Sequence, residues 1–238
     1  TDLWNDFATK PYWADREPEM INGTRGRFVE VFLNDAYQGL YCMTEKVDRQ
    51  QLKLKKLRVG VDLNTGANIY TQRGASYKAA SWSTAVMYGY PFQGNNTIPG
   101  FNNQSINWSS YECKYPELDE GEPISWDNLA NGMKISSSYY TPDAQFKSLA
   151  QETFDLPVYL DYYLFLELLM ATDNHGKNLY TNIYDQTESV KLSVTPWDLD
   201  GTWGIRWDGS KTITGANQDF DNFVRNNEHG QLNLFLRM

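Results

Sequence analysis

The chain has few of the residues that build the commonest metal and redox sites. Its 238 residues include only two histidines and two cysteines, and neither a His-x₃-His nor a Cys-x₂-Cys pair occurs. This scarcity argues against a zinc site of the usual spacing. Cys42 and Cys113 could form one disulfide bridge, but Cys42 lies in a strand-like run where a buried thiol is equally expected. The cysteines therefore do not define the cellular compartment.

Long apolar runs and excess basic charge are also missing. The longest apolar stretch, Leu156–Met170, has 15 residues and contains two acids, so the sequence predicts no transmembrane helix. The formal net charge of -9 and the pI near 4.7 argue against a nucleic-acid-binding protein, which would show a basic stripe. No phosphate-binding loop of the form Gly-x₄-Gly-Lys-Ser/Thr is present. With 41% hydrophobic residues, the chain can bury one sizeable core.

Alternation of apolar residues predicts two β-hairpins. The first pairs Arg25–Leu33 with Tyr37–Thr44, and the second pairs Leu179–Tyr184 with Val190–Thr195. Residues 86–128 are predicted to be a long loop or insertion, because they are rich in Gly, Asn and Pro and then in acids.

Helical patterns separate these hairpins. Val158–Met170 is apolar on nearly all sides, so it should run through the core. Thr141-Pro142 predicts an N-cap followed by a proline at the first helical position. The further predicted helices are Leu3–Thr9, Ser125–Asn131, Thr141–Phe154 and a helix from Asp48 with Leu52, Leu54 and Leu57 facing inward.

Three oxygen-bearing side chains follow the apolar helix. Asp173 and Asn178 are five residues apart in a Gly-containing loop, and the second hairpin should return Asp198 to the neighbourhood of Asn178. Such a set suits Mg²⁺, which takes one or two carboxylates and leaves other positions to water and phosphates. Protein kinases use the same order, in which the first acid accepts the substrate proton and the other two residues hold Mg²⁺ on ATP. Asp, Asn and Gly are also ordinary turn formers, so a purely structural loop stays open.

Three separated blocks carry a resemblance to a known family. They are Val29–Leu33 with Tyr37–Tyr41 and Glu45-Lys46, then Asp173 with Lys177–Tyr180, and finally Pro196–Asp200. These blocks resemble the marks of the CotH family of atypical, kinase-like proteins, named after spore coat protein H. The resemblance implies an α+β fold of two lobes over the single domain 1–238, with a small antiparallel sheet lobe and a mainly helical lobe. Residues 1–24 match none of the family's upstream segments, and the chain stops within the apolar stretch Leu232–Met238, so we expect a domain that is incomplete at both ends.

The resemblance also implies a function. It implies phosphoryl transfer from ATP to protein Ser or Thr, dependent on Mg²⁺, with Asp173 as the catalytic residue. The implied metal ligands are Asn178, Asp198 and Asp200, and the implied nucleotide contacts are Lys46, Glu45, Lys177 and His175. The alternative is a catalytically idle binding or adhesion module on the same fold. The cellular location stays open, with a secreted or cell-surface one favoured over others.

Charge is concentrated in two segments. Residues 112–127 hold six acids and one base, and a solvated linker is the favoured interpretation, with a dock for a basic protein substrate rich in Ser and Thr as the alternative. Residues 46–58 carry six basic side chains against one acid, Asp48. Such a run is usually a solvated face, although it could also attract a nucleotide or an acidic partner.

Overall fold

The structure is a computed structural model that describes residues 2–81, 98–171, 173–211 and 233–238. Helices and antiparallel strands both contribute to it, so the predicted α+β class is confirmed. Among the described helices none is long and apolar enough to cross a membrane. In chain order the elements are α1 Asp2–Phe7, β1 Gly26–Leu33, β2 Ala36–Thr44, β3 Arg58–Val61, β4 Asn68–Thr71, β5 Ala75–Ala79, β6 Asn107–Trp108, β7 Tyr111–Tyr115, α2 Asp127–Ser136, α3 Asp143–Thr153, α4 Leu156–Leu169, β8 Leu179–Ile183, β9 Ser193–Pro196 and α5 Asn233–Arg237.

The largest sheet has five antiparallel strands in the order β6, β7, β5, β8, β9. β8 and β9 form the predicted second hairpin, with Leu179 opposite Pro196. Every residue of these two strands is buried, so the sheet is covered on both faces at this edge. Asn182 on β8 accepts a hydrogen bond from Ser76 at 2.7 Å and donates one to Thr195 at 3.0 Å. These bonds satisfy polar groups that would otherwise destabilise the core.

Helix α4 packs against β9 and buries one face, which includes Tyr162 and Leu166. The prediction that the helix is enclosed on nearly all sides is wrong on one side, because Leu160, Leu164 and Leu168 are exposed. These leucines are four residues apart and therefore share one face of the helix. Uniform hydrophobicity could not reveal which face turns away from the sheet.

The predicted first hairpin is formed by β1 and β2 as a separate two-stranded sheet. Asn34 and Asp35 have φ values of 50° and 62°, the positive values that a type I′ turn requires. Much of the hairpin faces solvent, and Phe28 and Leu40 are 77% and 64% exposed. β3 and β4 form a second exposed hairpin. Within the described residues, neither hairpin is joined by strand pairing to the five-stranded sheet.

The helix predicted from Asp48 is not formed. The Asp48 carboxylate instead accepts a hydrogen bond from the Gln51 N–H at 2.8 Å, which makes a local turn. Lys53 has a φ of 55°, and a right-handed helix cannot continue through that conformation. The inward direction of the three leucines is nevertheless confirmed, since the structure buries Leu52, Leu54 and Leu57.

The other predicted helices appear as α1, α2 and α3, with ends shifted by one to five residues. Thr141 does not cap α3, because its Oγ1 donates to the Lys134 carbonyl at 2.9 Å and Pro142 takes the N-cap position. The hydroxyl group that would cap the helix is therefore bound to the Lys134 carbonyl, 7 residues upstream.

Part of the segment predicted as a long loop or insertion over 86–128 is regular structure. Residues 107–115 supply β6 and β7, and Tyr111 and Tyr115 of β7 are buried. β7 pairs with β5 in the five-stranded sheet, which explains why apolar content recovers there. Residues 82–97 lie outside the described residues.

A buried ion pair fastens the turn between β8 and β9. The Asp185 side chain has no exposed surface, and its carboxylate binds Arg73 Nη2 together with the backbone and hydroxyl of Thr187. Burial alone would raise the pKa of Asp185, but Arg73 and Thr187 outweigh it and hold that pKa below its ordinary value. Such a carboxyl stabilises the fold above its unfolded pKa, and this stabilisation is lost as the pH falls through the folded pKa.

We predict that Arg73→Met lowers the free energy of unfolding by about 3 kcal/mol at neutral pH, because it leaves a buried carboxylate without its cation. The matched change Arg16→Met removes the exposed pair with Glu188 and should cost about 0–1 kcal/mol. Urea denaturation measures both variants. The deficit of Arg73→Met should shrink as the pH falls below the ordinary carboxyl range, because the unmodified protein loses the stabilisation by the ion pair as Asp185 takes up a proton at its lowered folded pKa. A deficit that stays constant with pH would contradict this account.

Candidate functional site

The chain reverses direction at the end of α4 and enters the predicted site loop. Met170 has a φ of 53°, a left-handed conformation that ends the helix. The Tyr162 O–H donates to the Asn174 carbonyl at 2.6 Å, which fastens the loop back onto the helix. Asp173 is therefore carried by a segment that a rigid element holds in place, and its side chain is nearly buried.

Asn174 joins this loop to the loop that follows β9. Its Nδ2 lies 2.7 Å from the Trp197 carbonyl oxygen, 3.2 Å from that of Asp198 and 3.2 Å from that of Asn178. The Asn174 side chain is fully buried, its bond to Asn178 is buried, and its bonds to Trp197 and Asp198 are partly buried. They fix the backbone of Asp198 beside the backbone of Asn178. Sequence reasoning missed this residue, and its only signal was a second amide directly after Asp173.

Asp173 receives two donors from its own loop. Its Oδ2 lies 2.8 Å from Lys177 Nζ and 3.1 Å from Asn178 Nδ2. Because the amide nitrogen of Asn178 faces Asp173, its Oδ1 is the atom that can turn toward a metal ion. The Asn178 backbone is held as well, since its N–H donates to the Ala79 carbonyl at 2.9 Å. The structure thus brings the predicted acid, amide and lysine into contact.

Asp198 approaches this group from the loop after β9. Partial burial of the carboxyl group raises the pKa of Asp198, although the residue as a whole is exposed, and the negative charges of Asp200 and Asp173 raise it further. Lys78 and Lys177 oppose that shift in pKa. The three carboxylates are therefore within electrostatic range of one another, and two ammonium groups balance them only in part. A divalent cation placed among them would relieve the remaining repulsion.

Lys78 is the second residue that sequence reasoning missed. It lies on β5 opposite Tyr180 of β8, and its neighbour Ala79 binds the Asn178 N–H. This register brings Lys78 to the same end of β8 as the site, in agreement with its effect on the pKa of Asp198. The short strand around it carried no pattern that would have singled out one lysine.

The donor set suits Mg²⁺ in its chemistry. Within residues 2–81, 98–171, 173–211 and 233–238, no three His, Cys, Asp or Glu side chains lie close enough to hold a metal ion alone. Mg²⁺ does not require such a cage, because one or two carboxylates, an amide oxygen, water and phosphates complete its shell. Asp198 and Asp200 are exposed. A Cβ atom on Gly201 would lie 3.6 Å from the Asp173 Cβ, so the Asp200-Gly201 backbone passes close to Asp173.

Glu45 and Lys46 lie at the end of β2. The Glu45 carboxylate binds Arg25, with Nη2 at 2.6 Å, and this partner rather than Lys46 lowers the pKa of Glu45. Lys46 is exposed and lines a different cleft. His175 lies in the Asp173 loop and is 1% exposed, so a phosphate could reach it only after the loop moves. Phosphate contacts by Glu45, Lys46 and His175 remain predictions.

The fold and the site together define a class of protein. An α+β fold that brings an acid, an amide five residues later and a second acid together through a β-hairpin is arranged as in kinase-like proteins. A family model described as "CotH kinase protein" matches residues 1–237, and the chain belongs to that family. The match includes residues 1–24, for which the sequence analysis had found no counterpart. No curated protein is significantly similar to the chain.

We predict that Asn174→Ala lowers the free energy of unfolding by about 1–3 kcal/mol, because three carbonyl groups each lose a hydrogen bond from a buried amide. The control Asn131→Ala makes the same change on the exposed surface of α2 and should stay within about 0.5 kcal/mol of the unmodified protein. Denaturant titration measures both. An equally small effect of the two variants would show that Asn174 does not hold the loops together.

Proposed function

We propose that the protein transfers the γ-phosphoryl group of ATP to a Ser or Thr hydroxyl of another protein in a reaction that requires Mg²⁺. The observation that carries this proposal is the contact of Asp173 with Asn178 and the approach of Asp198 from the opposite loop. Membership in the CotH kinase family supports it. Phosphoryl transfer requires that the phosphates be positioned and their charge neutralised. A metal ion held by oxygen ligands beside a fixed carboxylate can do both.

Asp173 would act on the acceptor. Held by Lys177 and Asn178, it would accept the proton of the acceptor hydroxyl. The acceptor oxygen would bond to the γ-phosphorus as the bond from that phosphorus to the bridging oxygen of ATP breaks, and ADP would leave. Lys78 and Lys177 carry positive charge within electrostatic range of Asp198, and this charge would stabilise bound phosphates.

Asn178 and Asp198 would hold the Mg²⁺ ion, and Asp200 would assist them. When bound, the ion would neutralise charge on the phosphates. The protein contributes the fixed loop geometry, since the Asn174 amide holds the backbones of Asn178 and Asp198 together.

A catalytically idle binding module is the second candidate, and one observation favours it. The β1–β2 hairpin exposes large apolar side chains, among them Phe28, Leu40 and Met43. Exposed apolar surface of this kind often marks a site of protein interaction. The two candidates differ in one respect that is easily measured, because an idle module has no need to bind nucleotide.

We predict that ATP with Mg²⁺ raises the melting temperature, whereas ATP with a chelator does not. At a ligand concentration about 100 times Kd, binding stabilises the native state by about 2.7 kcal/mol. For a chain of this size each kcal/mol raises the melting temperature by about 2–4 °C. Equal shifts with and without metal would argue against the Mg²⁺ site, and no shift in either case would favour the idle module.

We further predict that Asp173→Asn and Asp198→Asn fail in different ways. Asp173→Asn should keep the Mg²⁺-dependent thermal shift while phosphoryl transfer falls by about 10²–10⁴-fold, because only the proton acceptor is lost. Asp198→Asn should lose the shift as well, since it weakens the metal site. The control Asp15→Asn makes the same change on the exposed surface. Loss of nucleotide binding in Asp173→Asn would mean that the two roles are misassigned.

A further inference from the structure

A basic cleft lies along the turn that replaces the predicted helix at Asp48. Its volume is about 370 Å³, and it is lined by Glu17, Gln50 and four basic side chains, Arg49, Lys53, Lys55 and Lys56. Four cations thus face one carboxylate in a chain whose formal net charge is -9. The overall composition does not lead one to expect such a local excess of positive charge.

The backbone explains why the cations converge. Leu52 and Leu54 are buried and anchor the segment to the core. Lys53 lies between them with a φ of 55° and is turned to the opposite side. The Lys55 N–H donates to the Tyr184 carbonyl at 3.0 Å, which ties the cleft to the end of β8. The cleft is therefore built on a fixed backbone rather than on a flexible tail.

Among the described residues, three of the four cations form no ion pair or only an exposed one. Lys55 Nζ lies 2.7 Å from Glu17 Oε1, so its charge is already paired within the protein. Lys53 Nζ lies 3.6 Å from the carboxylate of Glu19, whose side chain is 85% exposed. Exposed ion pairs of this kind contribute little to stability. Arg49 and Lys56 have no carboxylate within 4.0 Å among the described residues.

Arg49 is also held in one orientation. Its Nη1 donates to the Leu54 carbonyl at 3.3 Å, and its guanidinium lies 5.7 Å from the centre of the Tyr115 ring. A guanidinium fixed in this way keeps further N–H donors for an anion and loses less conformational freedom on binding. The arginine thus pre-organises the cleft for a ligand with several acceptor oxygens.

Acidic groups border the cleft and weaken its attraction for anions. On the other side of Arg49 and Lys56, a second cleft carries Asp48 and three glutamates, Glu117, Glu120 and Glu122. These carboxylates lower the local potential, so a single weak anion gains little there. A phosphate dianion, or several carboxylates on one segment, presents enough charge and acceptor oxygens to compete.

The cleft is distant from the proposed site. Tyr184 is six residues beyond Asn178 along β8, and a strand rises by about 3.3 Å per residue, so the two ends are about 20 Å apart. An anion in the cleft therefore cannot occupy the place of the transferred phosphoryl group. An extended peptide segment of about six residues would reach from one to the other.

We propose that this cleft binds an anionic segment of a partner protein, carrying phosphoserine or a run of carboxylates, and that the segment docks the acceptor protein for the reaction at Asp173. The docking role rests on the proposed function, whereas binding of the segment does not. The expectation that acidic residues 112–127 dock a basic substrate is less well supported, because Glu117, Glu120 and Glu122 face Lys46, Arg49 and Lys56.

Fluorescence anisotropy with labelled peptides of about ten residues tests the binding. Three peptides differ at their central positions, which carry phosphoserine, glutamates or unmodified serine. We expect the phosphoserine or glutamate peptide to bind at least tenfold more tightly than the serine peptide, with an affinity that falls as salt is added. The anionic peptide that binds more tightly shows whether the cleft recognises phosphate or carboxylate groups.

A pair of matched variants locates the site. Lys53→Gln with Lys56→Gln should weaken binding of the anionic peptide about tenfold, whereas Lys134→Gln with Lys147→Gln, on α2 and α3, makes the same charge change and should alter it less than about twofold. Equal affinity of all three peptides, equal effects of the two double variants, or tighter binding of a single-stranded oligonucleotide than of any peptide would overturn the proposal.

Steady-state kinetics test the docking role separately from peptide binding. If phosphoryl transfer is observed, the Lys53→Gln/Lys56→Gln variant should raise KM for an anionic acceptor protein and leave kcat unchanged. An unchanged KM would overturn docking while leaving peptide binding intact. If no transfer is observed with any variant, the anisotropy measurement still decides whether the cleft binds the anionic segment.

Discussion

The buried amide of Asn174 is the contact on which the candidate site depends. One side chain donates to the backbone of Asn178 and to that of Asp198, which lie 4 and 24 residues away in the sequence. The pairing of β8 with β9 and the Trp197 N–H, which donates to the Asn178 carbonyl at 3.1 Å, also help to hold the acid after β9 near Asp173. Losing the amide would take one hydrogen bond from each of three carbonyl groups, of which that of Asn178 keeps the Trp197 N–H as a donor. The structure therefore holds the two loops through a polar contact rather than an apolar one.

The elements behind the site are rigid for separate physical reasons. β8 and β9 are buried along their whole length, and α4 packs on β9 with a face that includes Tyr162. Tyr162 then bonds to the Asn174 backbone, so the helix and the site loop form one connected unit. At the far end of the same hairpin, Arg73 and Asp185 fix the turn. The site and the basic cleft thus lie at opposite ends of one well-supported strand, β8.

The parts of the molecule that were predictable from sequence depend on local patterns. Both hairpins follow from alternating apolar residues, and the contact of Asp173 with Asn178 follows from their spacing after an apolar helix. Predictions that required knowledge of distant partners failed. The Thr141 hydroxyl binds Lys134 instead of capping a helix, and Lys53 adopts a left-handed conformation that no helix pattern reveals. Asn174 and Lys78 escaped notice because their roles arise only when β5, β8 and the loop after β9 come together.

The central claim is that Asp173, Asn178 and Asp198 form one site for a metal-bound nucleotide. A crystal structure with Mn²⁺ and a non-hydrolysable ATP analogue tests it most directly, because anomalous scattering locates the ion without ambiguity. The account predicts one Mn²⁺ bound by Asn178 Oδ1 and an Asp198 carboxylate oxygen at about 2.1–2.2 Å, with phosphate oxygens completing its shell. A metal ion and nucleotide bound elsewhere, with no anomalous peak between these two side chains, would contradict it.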